Sequence, residues 1–101
     1  MSGKIKISEL PDIDLAEQLK DEDDIAAYLN IVISEGDMSE LAYALGVAAK
    51  ARGMSDIAKS SGITREALYK ALRPNASPRF DTINKVCAAL GVRLEAKPIH
   101  R

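Results

Sequence analysis

The sequence predicts an all-α protein, a bundle of five to six helices with a short strand near each end. Two observations carry that expectation. Apolar residues recur at helical spacing in one segment after another, and these segments are closed by glycines, Gly36, Gly53, Gly62 and Gly91, the residue that most readily ends a helix in a left-handed conformation. The composition agrees. With one Phe, three Tyr and no Trp in 101 residues, the core must be assembled from Ala, Leu, Ile and Val, which lets helices approach closely. A chain of this length makes one domain with a modest core.

Taken in order, Ile5 and Ile7 alternate with Lys4 and Lys6 in "KIKIS", the period of a short strand. Asp14 followed by Glu17 forms a capping box opening a short helix through about Lys20. A second helix, from about Glu22 to Glu35, places Ile25, Leu29, Val32 and Ile33 on one stripe. Asp37 with Glu40 repeats the capping arrangement for a third, whose inner face is Leu41, Leu45, Ala48 and Ala49 and which ends at Gly53. Two short helical pieces follow on either side of Gly62. Pro74 and Pro78 forbid helix in "RPNASPR", where Asn75 and Ser77 favour turns. A final helix from about Thr82, with Asp81 as its N-cap, turns Ile83, Val86, Cys87 and Leu90 inward. Val92, Leu94 and Ala96 then alternate with Arg93 and Glu95 as a closing strand, which could pair with the first strand within one chain or across a dimer.

Several function classes fall away on composition. The single cysteine, Cys87, has no internal disulfide partner, and with His100 as the sole histidine no Cys/His metal site can be assembled. The acids of "DEDD", Asp21 to Asp24, suit the positive end of a helix better than a metal. No cofactor is expected, and an enzyme is not either, since a nucleophile and base pair would have to use His100 beside the C-terminus. No run approaches the ~20 apolar residues of a membrane span, and "MSGKIKISEL" lacks the apolar centre of a secretion signal. The expected location is the cytoplasm.

The net charge of −1 conceals a division. Residues 1–49 hold three basic and eleven acidic side chains, a net −8, whereas residues 50–101 hold eleven basic and four acidic, a net +7. The second half would attract a polyanion and the first a basic protein, unless the two simply pack against each other.

The basic half holds the most informative stretch, "MSDIAKSSGITREALYKALRPN", Met54 to Asn75. With Gly62 at its centre it meets the requirements of a helix-turn-helix. Ile57 and Ala58 face inward from the first piece, and Ala58 is small where the second crosses it. Gly62 can take the left-handed turn, and Thr64 caps the helix that follows. Ile63, Leu68, Ala71 and Leu72 form the underside of the second piece. What remains outside is Arg65, Glu66, Tyr69, Lys70 and Arg73, the last four related by i, i+3, i+4 and i+7. In a major groove Arg65 could read guanine, Glu66 could accept from cytosine, and Tyr69 could meet a thymine methyl or a phosphate, each good bidentate contact discriminating by about 1 to 3 kcal/mol. Ser55, Lys70, Arg73, Ser77 and Arg79 are placed to anchor phosphates. The competing view is a helical hairpin with a solvated charged face; the +7 of the surrounding half favours the DNA reading.

The segment Ala51 to Pro98 resembles the phage-repressor-type (XRE-like) helix-turn-helix, above all in "TREALYKAL" (Thr64 to Leu72) and "SPRFDTI" (Ser77 to Ile83). In particular it resembles addiction-module antidote proteins, antitoxins of the HigA kind encoded beside a small RelE-like toxin. Asp14 to Asp37 is similar to that family's acidic leader helices, so the likeness covers nearly the whole chain. It implies a phage-repressor-like bundle forming a single domain over 1–101, with an acidic region 1–49 and a DNA-binding region 50–98. It further implies a homodimer that binds double-stranded operator DNA, represses its own operon and neutralises a basic RelE/HigB-type ribonuclease toxin. Carried over residue by residue, the match points to Thr64, Arg65, Glu66, Tyr69 and Lys70 for the groove, with Ser77 and Arg79 near phosphate. Ser61 departs from the pattern, standing where many members place an apolar residue. The alternatives are a phage-type regulator without a toxin, and a protein-interaction module built on the same scaffold.

Overall fold

The structure is a computed structural model and describes residues 17–36 and 38–99. Among these, five helices follow one another: α1 (Glu22–Ser34), α2 (Ser39–Arg52), α3 (Met54–Ser61), α4 (Arg65–Ala71) and α5 (Phe80–Leu90). The segment Lys4 to Ser8, expected as a strand, lies outside the described residues, as does most of the short helix expected from Asp14; Glu17 and Gln18 are helical.

Asp21 begins α1 as its N-cap, its carboxylate accepting the Asp24 N–H at 2.9 Å, while the Asp24 carboxylate accepts the Lys20 N–H at 2.9 Å. This is a close variant of the reciprocal capping box. The acids of "DEDD" therefore serve the helix start, and among the described residues no group of His, Cys, Asp or Glu is arranged to hold a metal. The inner stripe is Ile25, Tyr28, Leu29 and Val32. Glu35 takes the C-cap position, followed by Gly36 with φ +79°.

The middle of the bundle is α2, packed against α1, α3 and α5. Its Leu41, Ala42 and every residue from Ala44 to Ala49 are buried, as a helix covered on several sides requires. Small residues permit this closeness, and one contact demands it. A Cβ on Gly46 would stand 2.8 Å from the backbone oxygen of Leu72, so the backbones of α2 and the end of α4 meet there. The expected N-cap of α2, Asp37, lies outside the described residues; Met38 occupies the cap position without a side-chain hydrogen bond. Arg52 reaches Glu22 at 3.5 Å, tying the end of α2 to the start of α1, a partly exposed pair worth at most about 1 kcal/mol.

Gly53 ends α2 and begins α3, and α3 lies against α2, α4 and α5. The fully buried side chains Ile25, Leu45, Leu68, Val86, Cys87 and Leu90 come from four of the five helices and form one cluster.

Two sequence expectations need correction. The last helix starts at Phe80, two residues early, with Arg79 at the N-cap position, so Asp81 is not its cap. Pro78 fixes its own φ and restricts the residue before it but not the residues that follow, which leaves the chain free to turn helical once extended Arg79 is passed. Asp81 still favours the helix start through its charge, and it pairs with Lys85 at 3.2 Å. The second correction concerns residues 92–96, which join no strand ladder among the described residues. The alternation that suggests one is nonetheless present as burial, with Val92 and Leu94 packed against the core and Arg93 and Glu95 exposed. Among the described residues no helix is long and apolar enough to cross a membrane.

Candidate nucleic-acid interface

The surface around α4 is built from the turn that precedes it. Ile57 and Ala58 are buried on α3. At the end of that helix the Ala58 carbonyl accepts the N–H groups of Gly62 at 3.0 Å and Ile63 at 3.2 Å. Gly62 has φ +75° and nothing within 4 Å of where a Cβ would be, so its need for glycine is conformational and not spatial. Half-buried Ser61 is satisfied inside the same turn: its hydroxyl donates to the Ala58 carbonyl at 3.2 Å and accepts the Ile63 N–H at 3.3 Å. A hydroxyl here substitutes local hydrogen bonds for apolar packing.

Thr64 caps α4 by accepting the Ala67 N–H at 3.1 Å. One side chain of this helix, Leu68, is fully buried, and Leu72 at its C-cap is almost so, with Ile63 and Ala71 packed partly against the core. Those anchors turn Arg65, Glu66, Tyr69, Lys70 and Arg73 outward, and all five are exposed. Ser55, in the first turn of α3, is exposed as well. So are Ser77 and Arg79 beyond the turn at Asn75, where a left-handed φ of +66° and an Ala76 N–H donated to the Arg73 carbonyl at 3.1 Å reverse the chain.

Arg65 and Tyr69 also interact with each other. The guanidinium donates to the phenol oxygen at 3.3 Å and lies over the ring, its Cζ 5.7 Å from the centroid. One turn of helix separates them, so the ring holds the Arg65 fork on the outer face of α4, where it retains donors for a partner. The i, i+4 spacing permits this contact, but the spacing rule speaks of neighbourhood and leaves open which side chains will pair.

The charges of this region are uncommitted. Among the described residues, Arg52, Lys85 and Arg93 are paired with acids, whereas Lys50, Lys59, Lys70, Arg73 and Arg79 have no ion pair. No sequence pattern singles out Lys50. It lines a groove of about 190 Å³ together with Tyr69 and Arg73 of the α4 side, a neighbourhood created by packing alone. Phe80 lies within "SPRFDTI" without a role of its own in the sequence reading: at 66% exposed it stands at the start of α5 beside Arg79. Cys87 takes no part in this surface; burial raises its thiol pKa, in keeping with a small apolar core residue.

Comparison with known proteins adds a family to this geometry. Residues 9–98 match the family described as probable addiction module antidote protein. An uncharacterized protein of Haemophilus influenzae is 43% identical over 89 residues, a stretch that covers 88% of this chain and 92% of that protein. No solved structure matches.

Proposed function

The chain belongs to the probable addiction module antidote protein family, and from that premise we infer that it is an antitoxin whose α3–turn–α4 unit is a DNA-binding helix-turn-helix of the phage-repressor type. The observation that carries this reading is the division of labour in α4. Leu68 is buried beneath it, while Arg65, Glu66, Tyr69, Lys70 and Arg73 face outward, the three cations having no ion pair among the described residues. A helix so mounted can enter a major groove, with Arg65 on guanine, Glu66 on cytosine and Tyr69 on a thymine methyl or a phosphate. Ser55, Lys70, Arg73, Ser77 and Arg79 surround it as phosphate anchors that fix register and make affinity salt-dependent. Thr64 contributes by holding the first turn of the helix in place.

One recognition helix covers few base pairs, so the protein acts as a homodimer on half-sites about one helical turn apart. The start of α5, where Phe80 is exposed, supplies an apolar surface for that contact. Bound upstream of its own gene, the dimer represses its operon. The acidic side chains of α1 and the start of α2, among them Glu22, Asp23, Asp24, Glu35 and Glu40, suit a basic RelE/HigB-type toxin by charge.

Two assays test the reading. In a gel shift, the DNA upstream of the protein's own coding region is retarded at protein concentrations that leave random duplex free; equal retardation of both refutes the operator claim. Co-expression with the product of the adjacent gene yields a copurifying complex and rescues growth, and failure of both refutes the antitoxin claim.

A further inference from the structure

We propose that the groove between the last turns of α2 and the C-terminal end of α4 is a seat for one stretch of DNA sugar–phosphate backbone, with Lys50 and Arg73 as its cations. The proposal rests on the DNA-binding reading and extends it to a residue and a cavity that the recognition-helix pattern does not include.

The groove has the composition such a ligand needs. Val47, Met54 and Leu72 give it an apolar floor suited to a deoxyribose, and Lys50 and Arg73 contribute the only charges in its lining among the described residues. Neither cation has an ion pair among the described residues, so no internal salt bridge must break when a phosphate arrives. Asp56, the acid in the first turn of α3, is not part of the lining. At about 190 Å³ the space is enough to hold a phosphate and part of a sugar.

Position and contrast strengthen the assignment. Tyr69 and Arg73 of the α4 side form part of the wall, so a backbone seated there runs alongside the face proposed to read bases. A second groove, of about 210 Å³, adjoins this one through Tyr43 and Pro74, but its charged lining residue is Glu40. Two neighbouring grooves of similar size thus differ in the sign of their charge, and the basic one suits a phosphodiester. The seat exists because Gly46 brings the backbone of α2 against the Leu72 carbonyl; a larger residue would push the two walls apart.

Lys50 also lies in the last turn of α2, where a cation complements the helix dipole. A purely local role of that kind predicts a change in melting temperature and none in DNA binding. The test is equilibrium binding of the full chain to duplex from upstream of its own coding region, across a salt series, for wild type, Lys50→Ala and, as a control in the acidic region, Lys20→Ala. The seat predicts that Lys50→Ala lowers the steepness of log K against log salt by about 0.9 for each phosphate no longer neutralised, with the preference for operator over random duplex unchanged and Lys20→Ala equal to wild type. Single neutral methylphosphonate linkages then locate the seated phosphate: one linkage weakens wild type clearly more than it weakens Lys50→Ala, in which Arg73 alone still faces it. A wild-type slope in Lys50→Ala, or the same methylphosphonate response in both proteins, overturns the seat while leaving the DNA reading in place. A wild type without salt-dependent affinity for any duplex overturns the DNA reading and the seat with it.

Discussion

α2 and α4 lie against each other at Gly46 and Leu72, yet the chain uses them in opposite ways. α2 hides eight of its fourteen residues, whereas α4 hides one of seven. A helix buried on several sides contributes stability and can present little to a partner. α4 is too short to hold its shape unaided; it is kept helical by the Thr64 cap, by Leu68 beneath it and by the seating of Leu72, and nearly everything else on it is available to a partner. The difference separates two kinds of mutation: changes at the buried positions of α2 should act through folding, changes on the outer face of α4 through binding.

The largest effect is expected at the centre of α2. Leu45→Ala, at a fully buried site, should lower stability by about 2 to 5 kcal/mol, read as a fall in urea midpoint with unchanged slope. A loss below about 1 kcal/mol would fall outside the range for such a truncation and mean that α2 is not the centre of the core. Gly46→Ala sharpens the comparison because two effects oppose there. Alanine improves helix propensity by up to about 1 kcal/mol, but its Cβ would stand 2.8 Å from a backbone oxygen that cannot swing away. Overpacking of that kind costs about 1 to 3 kcal/mol, so net destabilisation should be seen in thermal melts, together with weakened DNA binding as α4 shifts. A stabilised Gly46→Ala would show that the helices can separate freely.

Thr64→Ala removes the cap that accepts the Ala67 N–H and should cost about 1 kcal/mol, with faster amide exchange concentrated in α4 and little change in α2. The smallest effect concerns Cys87. Its thiol pKa lies above the ordinary 9.0 because of burial, so the native state holds this proton more tightly than the unfolded chain. The contribution is complete below the unfolded pKa and is lost as pH rises through the native value. Wild type should therefore lose slightly more stability than Cys87→Ala as pH rises from neutrality past that ordinary thiol value, by urea titration, with the sign reversed if the thiolate is the favoured native form.

Much of this is legible in the sequence because large apolar side chains declare the face they need. Ile25, Leu29 and Val32, Leu41 and Leu45, Ile57, Leu68, Leu72, Val86 and Leu90 all carry the spacing of inward residues and are buried. The cap at Thr64 and the turn at Gly62 are legible for a similar reason, since few residues can serve there. The burial around α2 is not, because Ala42, Ala44 and Gly46 have too little side chain to reveal how many neighbours surround them. The start of α5 misleads because Asp81 is a good cap by type, and the chain uses its charge in the first turn instead. At the candidate site, the outward set on α4 follows from helical spacing. The partnership of Lys50 with Arg73 does not, because no local rule links positions on different helices that only packing brings to one groove.

The central claim is that the outer face of α4 carries recognition without carrying stability, and Arg65 tests it most directly. Equilibrium binding of wild type and Arg65→Ala should be measured at one moderate salt concentration on duplex from upstream of the coding region and on a scrambled duplex. The account predicts a fall of roughly 5- to 150-fold on the upstream duplex, the equivalent of about 1 to 3 kcal/mol, a much smaller fall on the scrambled one, and melting temperatures that coincide. Full retention of the upstream preference by a normally folded Arg65→Ala would contradict it.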